Sequence, residues 1–155
     1  MLHHSTFIEE LVRKGSLNLG QSKAARVTYH DPCYLGRYNG EYEAPRAVLK
    51  AIGIDVKEME RSGFRSRCCG GGGGAPITDI PGKQRIPDMR MVDIQSTGAE
   101  LVAVGCPQCT AMLEGVVAPR PEIKDIAELV AEVLIEATEV PAKRPTTKRE
   151  AAEVQ

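Results

Sequence analysis

Residues 101–109 read Leu101-Val102-Ala103-Val104-Gly105-Cys106-Pro107-Gln108-Cys109. A run of four apolar residues is the pattern of a short strand buried on both faces, as in a parallel sheet. Pro107 suits the first position of a helix, where its missing N–H costs nothing. The stretch therefore reads as strand, then turn, then helix. Its Cys-x-x-Cys pair falls at the carboxyl end of the strand, and the first-turn amides of the helix face the same place.

Working outward, the same alternation recurs. Residues 25–29 form a first strand, interrupted by Asp31-Pro32, and residues 54–59 alternate apolar and polar side chains as a second. Leu101–Val104 is the third, and Ile123 belongs to a short fourth. Between them, Ala44, Ala47, Val48, Ala51 and Ile52 recur at helical spacing, with Gly53 as the stop. A helix is expected over residues 84–97, with Ile86, Met89 and Val92 inward and Pro87 in its first turn. Residues 5–14 form an opening helix, with Thr6 and Glu9 in capping-box spacing. Phe7, Ile8, Leu11 and Val12 lie on one side of it. Ile126, Leu129, Val130, Val133 and Leu134 mark a closing amphipathic helix. The expected fold is α/β: a small parallel sheet of about four strands with helices on both faces. The expected organisation is a linker helix and connector over residues 1–23, one cysteine-rich domain over 24–137 and a disordered tail over 138–155.

In such sheets ligands bind beyond the carboxyl ends of the strands. Cys33 lies just past the first strand, Cys68 and Cys69 in the loop after the second, and Cys106 and Cys109 just past the third. All five cysteines are expected at one edge of the sheet. An odd number cannot pair off completely, which argues against a disulfide framework. Soft thiolates in this number select zinc, copper(I) or iron–sulfur clusters. A mononuclear zinc site closes with four ligands. The fifth cysteine is then either a spare or a sign of something larger than one ion, and a multinuclear iron–sulfur site is the favoured reading.

Composition bounds the remaining choices. The chain has 155 residues, 42% hydrophobic and 26% charged, an ordinary globular balance for one domain. With 20 Lys and Arg against 21 Asp and Glu its formal net charge is −1, without the basic excess of a nucleic-acid binder. The longest apolar runs are far too short to span a bilayer. The opening residues have no basic stretch followed by an apolar run of the secretory type, and a cytoplasmic location is expected.

The order Cys33, then Cys68-Cys69-Gly70, then Cys106-x-x-Cys109 resembles the CCG or cysteine-rich domain. The stretches that carry the likeness are His30-Asp31-Pro32-Cys33-Tyr34-Leu35-Gly36-Arg37, Cys68-Cys69 with Gly70 to Gly74, and Cys106-Pro107-Gln108-Cys109. That domain occurs in the B subunit of heterodisulfide reductase. It also occurs in the iron–sulfur subunits of glycolate oxidase, anaerobic glycerol-3-phosphate dehydrogenase and lactate-utilisation complexes. The likeness extends to iron–sulfur oxidoreductases associated with electron-transfer flavoproteins, including those of dimethylglycine demethylation. What the resemblance implies is a non-cubane [4Fe-4S] cluster held by Cys33, Cys68, Cys69, Cys106 and Cys109; some members place zinc in a related site. Full-length relatives usually hold two such cysteine sets behind a ferredoxin-like domain, so a chain with one set is expected to be the C-terminal portion of a longer protein or an incomplete gene product. The sequence departs from the family at Ala75-Pro76-Ile77-Thr78, where many relatives carry a bulky aromatic.

Around the cysteines, Gly70 and Gly71 are expected to approach a cofactor through their N–H groups. His30 is expected either as a structural histidine bonding the turn or as a partner of the cluster. Arg65 and Arg67 either offset thiolate charge or remain solvated loop cations. Tyr34, Tyr38 and Tyr42 are expected as packing residues, and Asp88 and Asp93 as polar helix-face residues. No Gly-Lys-Ser/Thr follows the glycines, which excludes a phosphate-binding loop. The expected function is an electron-transfer module of an oxidoreductase. It would pass electrons between a flavoprotein or flavin dehydrogenase subunit and an acceptor such as quinone. A membrane partner would place it peripherally at the inner membrane. The alternatives are a catalytic heterodisulfide or thiol reductase cluster subunit and a zinc-stabilised assembly module without redox activity.

Overall fold

The structure is a computed structural model, and it describes residues 2–78 and 81–135. The residues assigned to a disordered tail, 138–155, lie outside the described residues.

Three strands, β1 (Val27–Tyr29), β2 (Leu101–Val104) and β3 (Glu122–Asp125), form a parallel sheet in the order β1-β2-β3. Val27 pairs with Leu101 and Tyr29 with Ala103; on the other side Val102 pairs with Ile123 and Val104 with Asp125. Every residue of β1 and β2 is buried, as expected of a sheet covered on both faces. The segment read as a second strand runs beside β1 but is tied to it in few places. Val56 bridges Val27, the Lys57 N–H donates to Val27 O at 2.8 Å, and Thr28 Oγ1 donates to Lys57 O at 2.7 Å.

The helices are α1 (His4–Arg13), α2 (Glu43–Ala51), α3 (Ile86–Gln95), α4 (Pro107–Glu114) and α5 (Ile126–Ala131). Two short 3-10 turns, Gly63–Arg65 and Ala75–Ile77, shape the loop over residues 60–78. Because side chains alternate along a strand, β2 feeds two cores. Leu101 and Ala103 join Val48, Leu49 and Ile52 of the α2 region and Ile126, Leu129 and Val130 of α5. Val102 and Val104 join Met91 and Ile94 of α3, Leu113 of α4 and Ile123 of β3.

Three local expectations are corrected. In α3 the buried residues are Pro87, Arg90, Met91 and Ile94, whereas Ile86 and Val92 are 41% and 57% exposed. A charged residue at a buried position hid the true stripe, so the apolar pattern pointed to a face one residue out of phase. α1 is capped by His3, whose Nδ1 accepts the Ser5 N–H, rather than by Thr6 with Glu9. Tyr34 and Tyr38 are exposed and stacked on each other at 4.8 Å; of the three tyrosines only Tyr42 packs inward, its ring against Gly36.

Candidate metal centre

The carboxyl edge of the sheet is where the loops following β1, the Val56 segment and β2 meet. Cys33 sits four residues past β1, and Cys106 and Cys109 bracket the first turn of α4, with Cys106 as its N-cap. Cys68 and Cys69 come from the long loop before α3. Cys69 and Cys109 are buried, while Cys33, Cys68 and Cys106 are half-buried, so two sulfurs line the floor and three the rim. Ligand atoms of His30, Cys69 and Cys109 lie within 4.8 Å of one another. Cys68 and Cys106 adjoin this trio through thiol contacts with Cys69 and Cys109, and Cys33 is near enough to disfavour charge on Cys68.

The backbone around Cys68 is conformationally demanding. Gly70 has φ +90°, and a Cβ there would stand 2.7 Å from Pro87 Cδ and 3.1 Å from Ile86 Cβ. Only glycine fits both restrictions. The turn aims the Gly70 N–H at Cys68 Sγ, 3.3 Å away, and the Gly71 N–H at the Cys69 sulfur. The first-turn amides of α4, from Gln108 and Cys109, face Cys106.

These donors set the protonation of the sulfurs. The thiols of Cys109 and Cys68 hydrogen-bond to Cys69 and hold it well below the ordinary thiol range despite burial, with His30 and Gly71 assisting. Contact with Cys106 and with Cys69, together with burial, pushes Cys109 up; the bond to Cys69, with burial, pushes Cys68 up. Cys106 is brought down to about 6 by the Cys109 thiol, whose one proton it shares with Cys69, and by the helix amides, against burial. Negative charge thus collects on two sulfurs of a five-sulfur group, with protons that a thiophilic cation can displace. This donor set fits a metal or iron–sulfur centre and gives no hard-oxygen alternative.

A second tier of polar residues holds the site. Asp31, 3% exposed, bonds Arg46 and the Gly63 N–H. Arg37 donates to Ser66 O, and Arg67 Nε donates to Asp93 Oδ2 at 2.9 Å. Arg67 is therefore pinned, whereas Arg65 is exposed to solvent. Asp93 is not a bystander on a polar face: it also lies 3.4 Å from the fully buried Arg90. Arg90, Ser66 and Asp93 were not among the residues singled out in the sequence as parts of the site. The available signal was an arginine inside an apolar stripe with an aspartate three positions on. Beside the site, a cleft of about 730 Å³ opens between Gly70 and the face of α4 bearing Gln108 and Met112. Ala75-Pro76-Ile77-Thr78 forms part of its wall.

Comparison with known proteins gives the same pattern. The model of the cysteine-rich domain family, CCG, matches residues 27–114. The chain is 65% identical to a protein of Chromohalobacter salexigens named "Probable membrane-anchored ferredoxin", over 97% of this chain and 23% of that protein. It is 37% identical to the "EtfAB:quinone oxidoreductase" of Syntrophomonas wolfei, over 88% of this chain and 20% of the other. One subunit of the dihydromethanophenazine:CoB–CoM heterodisulfide reductase of Methanosarcina acetivorans is 36% identical over 86% of this chain and 34% of its own length. The chain thus spans between a fifth and about a third of the length of these relatives.

Proposed function

Because this chain belongs to the CCG cysteine-rich domain family, we propose that it is an iron–sulfur electron-transfer module of an oxidoreductase. Cys33, Cys68, Cys69, Cys106 and Cys109 are its ligands, and a non-cubane [4Fe-4S] cluster using all five thiolates is the centre they hold. Such a centre supplies reversible one-electron transfer. The chain's own residues supply sulfur ligands, burial of the two floor sulfurs, and N–H groups from Gly70, Gly71 and the first turn of α4 that favour charge on sulfur.

The observation that carries this reading is the sulfur group itself: five cysteines from three loops at one sheet edge, two of them buried. A four-ligand zinc site would leave one thiol idle. The name of the Syntrophomonas relative supports an electron-transfer flavoprotein as donor and a quinone as acceptor. That of the Chromohalobacter relative supports work at a membrane. None of the helices among the described residues is long and apolar enough to cross a membrane. The association proposed for this module is peripheral, from the cytoplasmic side. The likeness to a heterodisulfide reductase favours a second reading, in which a substrate sulfur meets the centre from the neighbouring cleft.

Anaerobic purification followed by metal and acid-labile sulfide analysis and visible absorption tests the proposal. Iron and sulfide near four each per chain, with a charge-transfer band lost on reduction, is the expected result. Stoichiometric zinc without iron or sulfide overturns it.

A further inference from the structure

Arg90, on the inward face of α3, is wholly buried against the loop that leads to Cys68. A guanidinium in that position is costly unless its N–H groups are paired. Each nitrogen has a partner. Nε donates to His30 Nδ1 at 3.0 Å, Nη1 to Arg61 O at 2.9 Å and, more weakly, to Asp93 Oδ2, and Nη2 to Ser66 Oγ at 3.2 Å. Asp93 in turn is held by Arg67.

The bond to His30 determines more than position. A guanidinium has donors and no acceptor, so His30 Nδ1 must present its lone pair. His30 is itself 1% exposed, and a ring whose Nδ1 accepts from a guanidinium carries no proton there, so it is neutral. A neutral imidazole with Nδ1 accepting carries its proton on Nε2. His30 Nε2 is buried and has no hydrogen-bond partner. With Nδ1 occupied by Arg90, Nε2 is the nitrogen left to face the Cys69 and Cys109 sulfurs, within 4.8 Å.

Resting on the metal-centre reading above, we propose that Arg90 is a positioning residue that fixes His30 as the Nε2–H tautomer. His30 then donates a hydrogen bond to the Cys69 sulfur and is not a metal ligand. Geometry alone would admit His30 as a ligand beside Cys69 and Cys109. The Arg90 bond removes that option, because one ring nitrogen has its lone pair engaged and the other bears the proton. A donor to a ligating sulfur stabilises the more negative, reduced state of the centre and so raises its potential.

Two measurements on the full chain test this. The chain has three histidines, so 15N-histidine labelling gives a spectrum simple enough to assign His30 by its loss in His30→Gln. Long-range 1H–15N correlation on the metal-free, reduced chain is expected to show His30 protonated on Nε2. In Arg90→Met, which removes the donor at similar volume, that preference is expected to be lost. Protonation on Nδ1 in the unaltered chain overturns the proposal, and this arm holds even if Arg90→Met does not fold. The second arm uses chain reconstituted with iron and sulfide. His30→Phe is expected to keep its iron and show a lower midpoint potential, with His30→Gln, which retains an amide donor, in between. Loss of iron in both variants, or an unchanged potential in His30→Phe, overturns the proposal. Should the chain take zinc and no iron, the electron-transfer reading fails, and the tautomer spectrum of the zinc-loaded chain decides the present one in the same way.

Discussion

Asp31 Oδ1 lies 2.8 Å from Arg46 Nη1, and Asp31 Oδ2 accepts the Gly63 N–H at 2.8 Å. One buried carboxylate thus joins the turn that carries Cys33, the helix α2 and the loop that leads to Cys68. Arg46 is shared with Glu58 and lies over the Tyr29 ring, 5.2 Å from its centroid. Two cysteines 35 positions apart are brought to one site partly by this contact.

Asp31→Ala is expected to destabilise the metal-free chain by about 1 to 3 kcal/mol, since it leaves the half-buried Gly63 N–H without its acceptor and Arg46 with Glu58 as its one carboxylate. Urea denaturation measures this. Arg46→Met, which leaves the buried carboxylate with the Gly63 N–H and no cation, is expected to cost at least as much. Equal stability of Asp31→Ala and the unaltered chain would show that the clamp contributes nothing.

The glycine run is not uniform. Gly70→Ala forces a side chain into positive φ and against Pro87, with an expected loss of about 1 to 3 kcal/mol and reduced iron uptake. A Cβ at Gly72 meets nothing within 4 Å, so Gly72→Ala is expected to lie within about 0.5 kcal/mol of the unaltered chain. Thermal melts and iron content of the pair separate a specific turn from a generic flexible linker, for which both substitutions would behave alike.

Cys68→Ser tests the ligand count. A centre that uses all five thiolates is expected to lose most of its iron and its visible band. A zinc site built from the other four would retain full metal content in the variant.

Asp125 caps α5: its Oδ1 accepts the Ala127 N–H at 2.9 Å, while Glu128 Oε2 accepts the Asp125 N–H at 2.7 Å. Although burial works against it, bonds from His4 and Ala127 hold this carboxyl below the usual carboxylate range. A carboxylate with a depressed folded-state pKa stabilises the fold above its unfolded value, about 3.9, and that contribution disappears as pH falls through the lower folded value. Stability measured from pH 5 downward is therefore expected to fall less steeply in Asp125→Asn than in the unaltered chain. Parallel slopes would exclude Asp125 as a source of acid sensitivity. Asp125→Ala is expected to cost about 1 kcal/mol at neutral pH through loss of the cap.

The orientation of α3 gives a further test. Ile94, wholly buried between the sheet and α4, is expected to cost about 3 kcal/mol on replacement by alanine. Val92, two residues earlier and 57% exposed, is expected to cost no more than about 0.5 kcal/mol. The reverse order in chemical denaturation would restore the inward face first expected from the apolar pattern.

Much of the architecture is legible along the chain because it depends on near neighbours. Leu101–Val104 and Pro107 define a strand and a helix start through the identities of adjacent residues, and the structure has both at those positions. The spacing of the five cysteines relative to the strand ends carried the candidate site and the family resemblance together. The segment 54–59 is only partly legible, because whether an extended stretch becomes a full strand depends on how many ladder bonds its neighbour offers. Val27 offers Val56 a single bridge.

What local pattern could not supply is the polar framework beneath the sulfurs. Arg90 reads as a surface residue from its type, and only its partners make it an interior one: His30 is 60 positions away, Arg61 29 and Ser66 24. The inward face of α3, the donor state of His30 and the clamp at Asp31 all follow from such distant pairings. Apolar periodicity and cysteine spacing are properties of the chain and can be read from it. A buried charge is tolerated only where folding has already assembled its acceptors, so its place becomes visible only in three dimensions.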